Sequence, residues 1–239
     1  MNQNRPTTNK NYAAIILSLP HHHALQGNDT SSDALFEAIA GDLAKDGYSI
    51  RINALPLALT DILHSHLVNM PQHKFNEASV GRKSDKQVNA QVRNDEIVWI
   101  YDDSPAGKQW LEWTQALQRH LNRQLFMGLF SFESHFAHYA KGNYYKKHFD
   151  AFKGQANRML SLVAYLNPDW KDTDGGELVV YTQGGSTQSI KVLPKYGTLV
   201  IFLSEEFEHE VQPPLRDRYS IAGWFRVNTS SNERIDPLL

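Results

Sequence analysis

Residues 135–150 read HFAHYAKGNYYKKHFD, and this stretch ends in a His-x-Asp pair. Successive side chains of a strand point to opposite faces, so His148 and Asp150 share one face if they lie at the end of a strand. A neutral imidazole and a carboxylate would then face a common point. These two residues are therefore the first candidate metal ligands.

A third candidate ligand, His209, follows downstream in the segment FEHEVQPP. Two histidines and one carboxylate form the facial triad of non-haem Fe(II) oxygenases, which leaves coordination positions open for substrate and O₂. The His-x-Asp pair alone is a weak signal in a chain with 11 histidines. Arg218, in RDRYSIAGWFRV, strengthens it because a guanidinium can bind a carboxylate through two parallel hydrogen bonds. We therefore expect a metal site with a carboxylate-binding arginine nearby.

Length and composition indicate one ordinary globular domain. The 239 residues, 41% of them hydrophobic, suffice for one sizeable core. A formal net charge of -2 with interspersed signs provides no basic surface for nucleic acid. The absence of cysteine excludes disulfides and cysteine-ligated zinc, and it fits a cytoplasmic location. The segment AAIILSLP at 13–20 is too short to span a bilayer, so we read it as an opening strand and expect no membrane partner.

The N-terminal half carries three segments with helical periodicity. The first is expected to run from Asp33, with Ser32 as its cap, to Gly47, and the third to open with Ser104 and Pro105. Their apolar stripes consist of Leu35, Ile39 and Leu43, then Leu59, Ile62, Leu63 and Leu67, and finally Trp110, Trp113, Leu117 and Leu121. These helices are expected to brace a sheet.

From Met127 onward the chain changes to short strand-like runs separated by Gly, Pro and Asn. Seven or eight such runs at short spacing argue for a sandwich or barrel. We expect a mainly β fold with residues 1–126 as the supporting part, 127–228 as the β core and 229–239 as a tail, all in a single domain. Residues 75–95 hold few apolar groups, so by themselves they read as a solvated loop, and Ile97–Ile100 as a strand.

Several motifs between Tyr139 and Arg226 resemble those of a known family. They read YYKKHFD, LVAYLNPDW, DGGELVVY, HEVQPP and RYSIAGWF in chain order. In this order they are similar to the 2-oxoglutarate- and Fe(II)-dependent prolyl 4-hydroxylases, in the group of the animal hypoxia-factor prolyl hydroxylases and their bacterial relatives. The resemblance implies a double-stranded β-helix, or jelly roll, braced by the N-terminal helical layer.

The resemblance also implies roles for individual residues. His148, Asp150 and His209 would hold Fe(II), and Arg218 would bind 2-oxoglutarate, which is consumed in the reaction together with O₂. Tyr139 and Tyr165 would form hydrogen bonds with 2-oxoglutarate, and Val163, Leu178 and Val211 would form its apolar lining. The residues on the substrate side would be Tyr145, Arg158, Trp224 and Asp95. Residues 75–95 would form a finger over a peptide, with Asp95 paired to Arg158. A supporting role for ascorbate stays open.

The implied activity is hydroxylation of an exposed proline in a protein substrate, and elongation factor Tu is the first candidate because bacterial relatives act on it. Two alternatives remain open at this point. One is an oxygenase of the same mechanism that acts on a free amino acid or small molecule. The other is a non-catalytic, metal-binding barrel of the cupin kind. The sequence does not indicate an oligomeric state.

Overall fold

The computed structural model describes residues 30–77, 92–151, 157–182 and 188–228. The expected strand at 13–20, most of the polar loop and the tail at 229–239 lie outside these ranges. The tip of the expected finger therefore stays a prediction. Among the described helices, none combines the length and the apolar character needed to cross a membrane.

Three α-helices are described: α1 (Thr30–Asp46), α2 (Leu57–Val68) and α3 (Pro105–Leu125). Helix α3 begins as expected, because the Ser104 hydroxyl accepts a hydrogen bond from the Gly107 backbone nitrogen at 3.0 Å. Helix α1 ends at Gly47, whose φ of 76° suits a residue without a side chain. The start expected for α1 was wrong by three residues, because the helix begins at Thr30 and not at Asp33, and Ser32 lies inside its first turn.

Eleven strands form two sheets in the described part of the chain. The larger sheet contains, in spatial order, β1 (Tyr48–Arg51), β9 (Leu199–Leu203), β6 (Arg158–Tyr165), β11 (Arg218–Val227), β4 (Leu129–Tyr139), β3 (Glu96–Trp99) and β2 (Asn76–Glu77). The smaller sheet contains β5 (Tyr145–His148), β10 (His209–Val211), β7 (Leu178–Tyr181) and β8 (Ser189–Val192). All of these strand pairs are antiparallel.

The fold agrees with the predicted jelly roll braced by helices. The part before residue 127 also supplies β1, β2 and β3 to the larger sheet, and of these only β3 was expected from the sequence. This strand pairs with β9 through Tyr48 opposite Phe202 and Ile50 opposite Val200. The N-terminal part therefore extends the sheet as well as supporting it.

Strand alternation divides the larger sheet between two cores. On one face, Ile221 and Phe225 of β11 join the apolar side chains of the helices, among them Trp110, Leu117 and Leu63. On the other face, Tyr165, Val200 and Phe202 pack against Leu178 and Val211 of the smaller sheet. The second core lies between the sheets, and the candidate functional residues surround it.

Candidate metal and cosubstrate site

His148, Asp150 and His209 converge in the structure. His148 ends β5, His209 begins the neighbouring β10, and the two residues lie opposite each other in the strand pair. Asp150 follows β5 by two residues, which brings its carboxylate in front of both imidazoles. One ligand atom from each of the three residues lies within 4.8 Å of the others. This spacing suits a single metal ion bound by two imidazoles and one carboxylate.

Both imidazoles are held with the same ring nitrogen facing the centre. His148 Nδ1 donates to the Lys146 carbonyl oxygen at 2.7 Å, and His209 Nδ1 donates to the Phe207 carbonyl oxygen at 3.1 Å. Because a carbonyl oxygen can only accept, each Nδ1 carries the proton and each Nε2 keeps its lone pair. The two Nε2 atoms each lie 3.6 Å from an oxygen of Asp150. Such backbone hydrogen bonds typically orient metal-binding histidines.

The protonation states also suit a cation. Burial lowers the pKa of His209 to about 4, although the Asp150 charge partly opposes this shift, so the ring is neutral near pH 7. Burial alone would raise the pKa of Asp150. The adjacent His209 and His148 rings and a hydrogen bond from Ser161 outweigh that effect and hold this pKa well below its usual range. The Ser161 hydroxyl donates to Asp150 Oδ2 at 2.6 Å, so one carboxylate oxygen is oriented by the protein.

Arg218 lies at the start of β11, 1% exposed, in the core between the sheets. Its Nε donates to the Gly176 carbonyl oxygen at 2.9 Å and its Nη1 to the Ser220 hydroxyl at 3.2 Å. The ring centroids of Tyr139 and Tyr165 lie 4.9 and 5.0 Å from its guanidinium carbon. No carboxylate among the described residues forms a salt bridge with Arg218. A buried cation of this kind suits an anionic ligand.

The two tyrosines beside Arg218 are buried and neutral. Burial raises the pKa of Tyr165 to about 12 against the opposing effect of the Arg218 charge, and burial raises the pKa of Tyr139 well above its usual value. The Tyr165 hydroxyl makes no hydrogen bond of standard geometry to any residue that the structure describes. It is therefore available to donate to a ligand held by Arg218.

The predicted apolar lining lies in the same core. Leu178 and Val211 are directly opposite each other in β7 and β10, and Val163 is opposite Ala222 in β6 and β11. Leu178 and Val211 are buried and Val163 is half-buried against the same cluster. The structure thus brings together an apolar lining, a buried arginine and the three candidate ligands.

Tyr145 lies directly against the candidate metal site. Its ring stacks on that of His148, with centroids 3.5 Å apart. The Arg93 guanidinium carbon lies 4.4 Å from the centroid of the same Tyr145 ring. Arg93 in turn donates two hydrogen bonds to the buried Asp95, at 2.7 and 2.6 Å. Burial would lower the pKa of Arg93, but the contact with Asp95 outweighs it and raises this pKa.

The expected pair between Asp95 and Arg158 is not formed in this structure. Asp95 is bound by Arg93, which lies two positions away in a locally extended segment, so that the two side chains reach one another directly. Arg158 Nη2 instead donates to Glu133 Oε1 at 2.8 Å, and Nε donates to the same oxygen at 3.1 Å. Its guanidinium carbon lies 3.6 Å from the centroid of the Trp224 ring. Arg158 and Trp224 are thus adjacent in the structure, and Asp95 belongs to a separate pair.

His135 is a packed histidine outside the candidate ligand set. Its ring lies between those of Trp99 and Trp224, with centroid distances of 5.2 and 5.5 Å. Burial, assisted by the charge of Arg93, lowers the pKa of His135 to about 3. His135 is therefore neutral near pH 7 and forms part of an aromatic wall beside Arg158.

Sequence reasoning missed three residues of this region: Ser161, Glu133 and Arg93. A signal for the first two was present, since Ser161 is in step with Val163 along β6 and Glu133 is in step with His135 along β4. Both positions therefore had to face the same side as the predicted site. Arg93 lies in the polar stretch that read as a solvated loop, and its burial carried no sequence signal.

Comparisons with known proteins agree with this geometry. The family described as the 2OG-Fe(II) oxygenase superfamily matches residues 134–226. A prolyl-4-hydroxylase from Pseudomonas putida has a similar crystal structure, with 35% sequence identity and a TM-score of 0.72. That alignment covers 81% of this chain and 99% of the Pseudomonas chain.

Two further relatives are more distant. Egl nine homolog 1 of Homo sapiens is 29% identical over 163 residues, which cover 64% of this chain and 37% of the human protein. The chain thus spans less than half the length of this curated relative. A prolyl hydroxylase of Trichoplax adhaerens, solved with a hypoxia inducible factor peptide fragment, has 24% identity and a TM-score of 0.72 over 83% of this chain and 94% of its own. That likeness supports the fold.

Proposed function

Because this chain belongs to the 2OG-Fe(II) oxygenase superfamily, we propose that it is a dioxygenase that hydroxylates a prolyl residue in a protein substrate and releases succinate and CO₂. The observation that carries the proposal is the combination of two sites in one core. Three convergent metal ligands lie at one end, and a buried arginine without a carboxylate partner among the described residues lies at the other. A 2-oxo acid with a second carboxylate can span both.

His148, Asp150 and His209 are the residues that would hold Fe(II). Their donor set fits the ion because two neutral imidazoles and one ionised carboxylate provide three ligand atoms and leave further positions open. Fe(II), 2-oxoglutarate and O₂ together supply oxidative decarboxylation of the cosubstrate, coupled to hydroxylation of a substrate carbon. The protein itself contributes binding, orientation and exclusion of water.

Arg218 would bind the distal carboxylate of 2-oxoglutarate. The hydrogen bonds to Gly176 and Ser220 fix the orientation of the guanidinium before the ligand arrives, so little ordering is required on binding. Tyr139 and Tyr165 would donate hydrogen bonds from their hydroxyls to cosubstrate oxygens. The apolar side chains of Val163, Leu178 and Val211 would contact its carbon chain and keep the site dry.

Tyr145, Trp224 and Arg158 would contact the substrate. Tyr145 stacks on His148, so it lies close enough to the metal ligands to contact a prolyl ring during the reaction. Trp224 presents an aromatic face beside Arg158, whose direction is set by Glu133. Asp95, through its pair with Arg93, would hold Arg93 against Tyr145 and so keep Tyr145 in position.

Elongation factor Tu is the first protein substrate to test, because of the resemblance to the bacterial prolyl 4-hydroxylases. Purified enzyme would be incubated with Fe(II), 2-oxoglutarate, ascorbate and elongation factor Tu, with succinate measured alongside peptide mass spectrometry. We expect one oxygen atom added to a proline and one succinate for each addition. The Arg218→Ala variant is the matched control and should give neither product.

Other outcomes of this experiment favour the alternatives. Succinate release that is stimulated by free amino acids, with no modified protein in a cell extract, would indicate a small-molecule oxygenase. Tight metal binding without any succinate release would indicate a non-catalytic, metal-binding barrel. Succinate release with modification of a different protein would retain the prolyl hydroxylase and reject elongation factor Tu.

A further inference from the structure

The hydroxyl of Thr198 is buried without a hydrogen-bond partner among the residues that the structure describes. Thr198 is 1% exposed and directly precedes β9. Its backbone is satisfied, because its carbonyl oxygen accepts from Tyr165 N at 3.0 Å and its nitrogen donates to Lys195 O at 3.1 Å. An unpaired buried hydroxyl typically costs ~1–3 kcal/mol. Buried polar groups are normally hydrogen-bonded, so the unpaired hydroxyl of Thr198 requires a physical explanation.

The strand register turns Thr198 toward the candidate cosubstrate site. Leu199 lies opposite Ala164, and both belong to the core on the helix side. The preceding residue, Thr198, therefore faces the other side, next to Tyr165. Tyr165 is in turn opposite Ser220 in β11. Three hydroxyl-bearing residues, Thr198, Tyr165 and Ser220, thus form a row across three adjacent strands.

A turn fixes this position of Thr198. The hydrogen bond from Thr198 N to Lys195 O closes a four-residue turn in which Gly197 has a φ of 69°. Gly197 N and Thr198 O both bond to Tyr165, so two residues lie opposite one, which is the arrangement of a β-bulge that begins with glycine. The bulge holds Thr198 beside Tyr165 and leaves its side chain little freedom to turn elsewhere.

The row of hydroxyls lies beside the Arg218 guanidinium. Ser220 already accepts a hydrogen bond from Arg218, and the Tyr165 ring lies 5.0 Å from its guanidinium carbon. A carboxylate offers about four acceptor sites on two oxygens, and an arginine fork occupies two of them. In a dry site the remaining acceptor sites need other donors. In this row, the hydroxyls of Thr198 and Tyr165 make no hydrogen bond of standard geometry to a described residue.

We propose that Thr198 donates a hydrogen bond to the distal carboxylate of 2-oxoglutarate, as a cosubstrate-binding residue beside Arg218 and Tyr165. This inference rests on the proposed function, since it needs a dicarboxylate 2-oxo acid in the core between the sheets. The proposed hydrogen bond explains why a buried hydroxyl is present where valine would fill the same volume. The ligand would satisfy a group that the protein leaves unpaired.

The test compares Thr198→Val with Thr198→Ser. Each purified, metal-free protein would be loaded with Mn(II), and binding of 2-oxoglutarate would be followed by isothermal titration calorimetry without O₂ turnover. Loss of a hydrogen bond to a charged group should weaken 2-oxoglutarate binding roughly 10- to 100-fold in Thr198→Val. Thr198→Ser keeps the hydroxyl and should stay within about 3-fold of the wild type. Mn(II) affinity should be unchanged in both.

A second readout separates ligand binding from a structural role. Without 2-oxoglutarate, Thr198→Val should unfold at the same or a higher temperature than the wild type, because it removes an unpaired buried hydroxyl. Thr114→Val is the matched control. The Thr114 hydroxyl is also buried but donates to Leu111 O at 3.1 Å on the helix side, so this variant should lose stability and keep its affinity for 2-oxoglutarate.

Three results would overturn the inference, and they differ in what they imply. Equal 2-oxoglutarate affinity in the wild type and Thr198→Val would remove Thr198 from the site and leave the proposed function intact. A wild-type protein that binds Mn(II) but no 2-oxoglutarate would overturn both. Lower thermal stability of ligand-free Thr198→Val would assign the hydroxyl a structural role.

Discussion

Ser161 provides a sharp test of the proposed metal site, because its hydroxyl contacts a ligand without being one. Ser161 is buried in β6, and its Oγ lies 2.6 Å from Asp150 Oδ2 and 2.9 Å from the hydroxyl of Ser204. Ser161→Ala removes the hydrogen bond to Asp150 together with the contact to the Ser204 hydroxyl. The carboxylate would keep its position in the chain but lose the contact that orients it.

The expected size of the effect follows from two considerations. A hydrogen bond to a charged group typically contributes ~1.5–3 kcal/mol. Loss of a residue that orients a metal ligand typically lowers metal affinity ~10- to 100-fold, which corresponds to ~1.4–2.7 kcal/mol. We therefore expect the dissociation constant for Mn(II) to rise by about 10- to 100-fold in Ser161→Ala.

The assay is titration of metal-free protein with Mn(II), with the free ion measured by electron paramagnetic resonance. Ser134→Ala is the matched control, since Ser134 is equally buried and accepts a hydrogen bond from Trp110 Nε1 at 3.0 Å on the helix side of the sheet. This control should lose stability and keep its metal affinity. Equal Mn(II) affinity in Ser161→Ala and Ser134→Ala would refute the assignment of Asp150 as an oriented ligand.

Three further predictions concern single residues. Asp150→Ala should lose nearly all Mn(II) binding and turnover, because three ligands leave no redundancy; wild-type turnover in this variant would contradict the triad. Arg218→Ala should retain Mn(II) affinity and bind 2-oxoglutarate roughly 30- to several-thousand-fold more weakly, since a lost buried charge partner costs ~2–5 kcal/mol. In calorimetry, Arg218→Lys should recover part of this affinity. Normal binding by Arg218→Ala would place the carboxylate site elsewhere. The pKa of His135 is about 3 in the folded state against an ordinary 6.5, so the unfolded chain binds more protons between these pH values. The contribution of His135 to stability is therefore fully present above the unfolded pKa and is lost on acidification. His135 should contribute about 2 kcal/mol to the loss of unfolding free energy between pH 7 and pH 5, and urea unfolding of His135→Leu at both pH values should show a smaller loss; an unchanged difference would mean that His135 is not buried neutral.

The alternation of strands made much of the site predictable from the sequence. The common face of Arg218, Ser220, Ala222 and Trp224 follows from the two-residue period alone, and the register of β11 with β6 agrees with it. The helices could be predicted because their apolar stripes and the cap at Ser104 are local signals. Strand β1 could not, because four residues between two helices carry too little periodicity.

The partners of charged groups were not predictable in the same way. Arg158 of β6 reaches across Trp224 of β11 to Glu133 of β4, so this pair depends on the lateral order of three strands. No sequence pattern encodes that order, and opposite charges far apart in the chain can be matched in many ways. The contact of Arg93 with Asp95 was missed for a different reason, because both residues lie in the polar stretch that read as a solvated loop.

Strand β11 separates two kinds of evolutionary change along its length. Ile221 and Phe225 are fully buried against the helices, whereas Ala222 and Trp224 border the core between the sheets. Substitutions at the first set of positions are therefore expected to change stability, whereas substitutions at the second set change the wall of the core between the sheets. Changes at 222 or 224 leave the helix-side packing untouched. Substitutions at these two positions could therefore change the wall of the site without compensating changes on the helix side of the sheet.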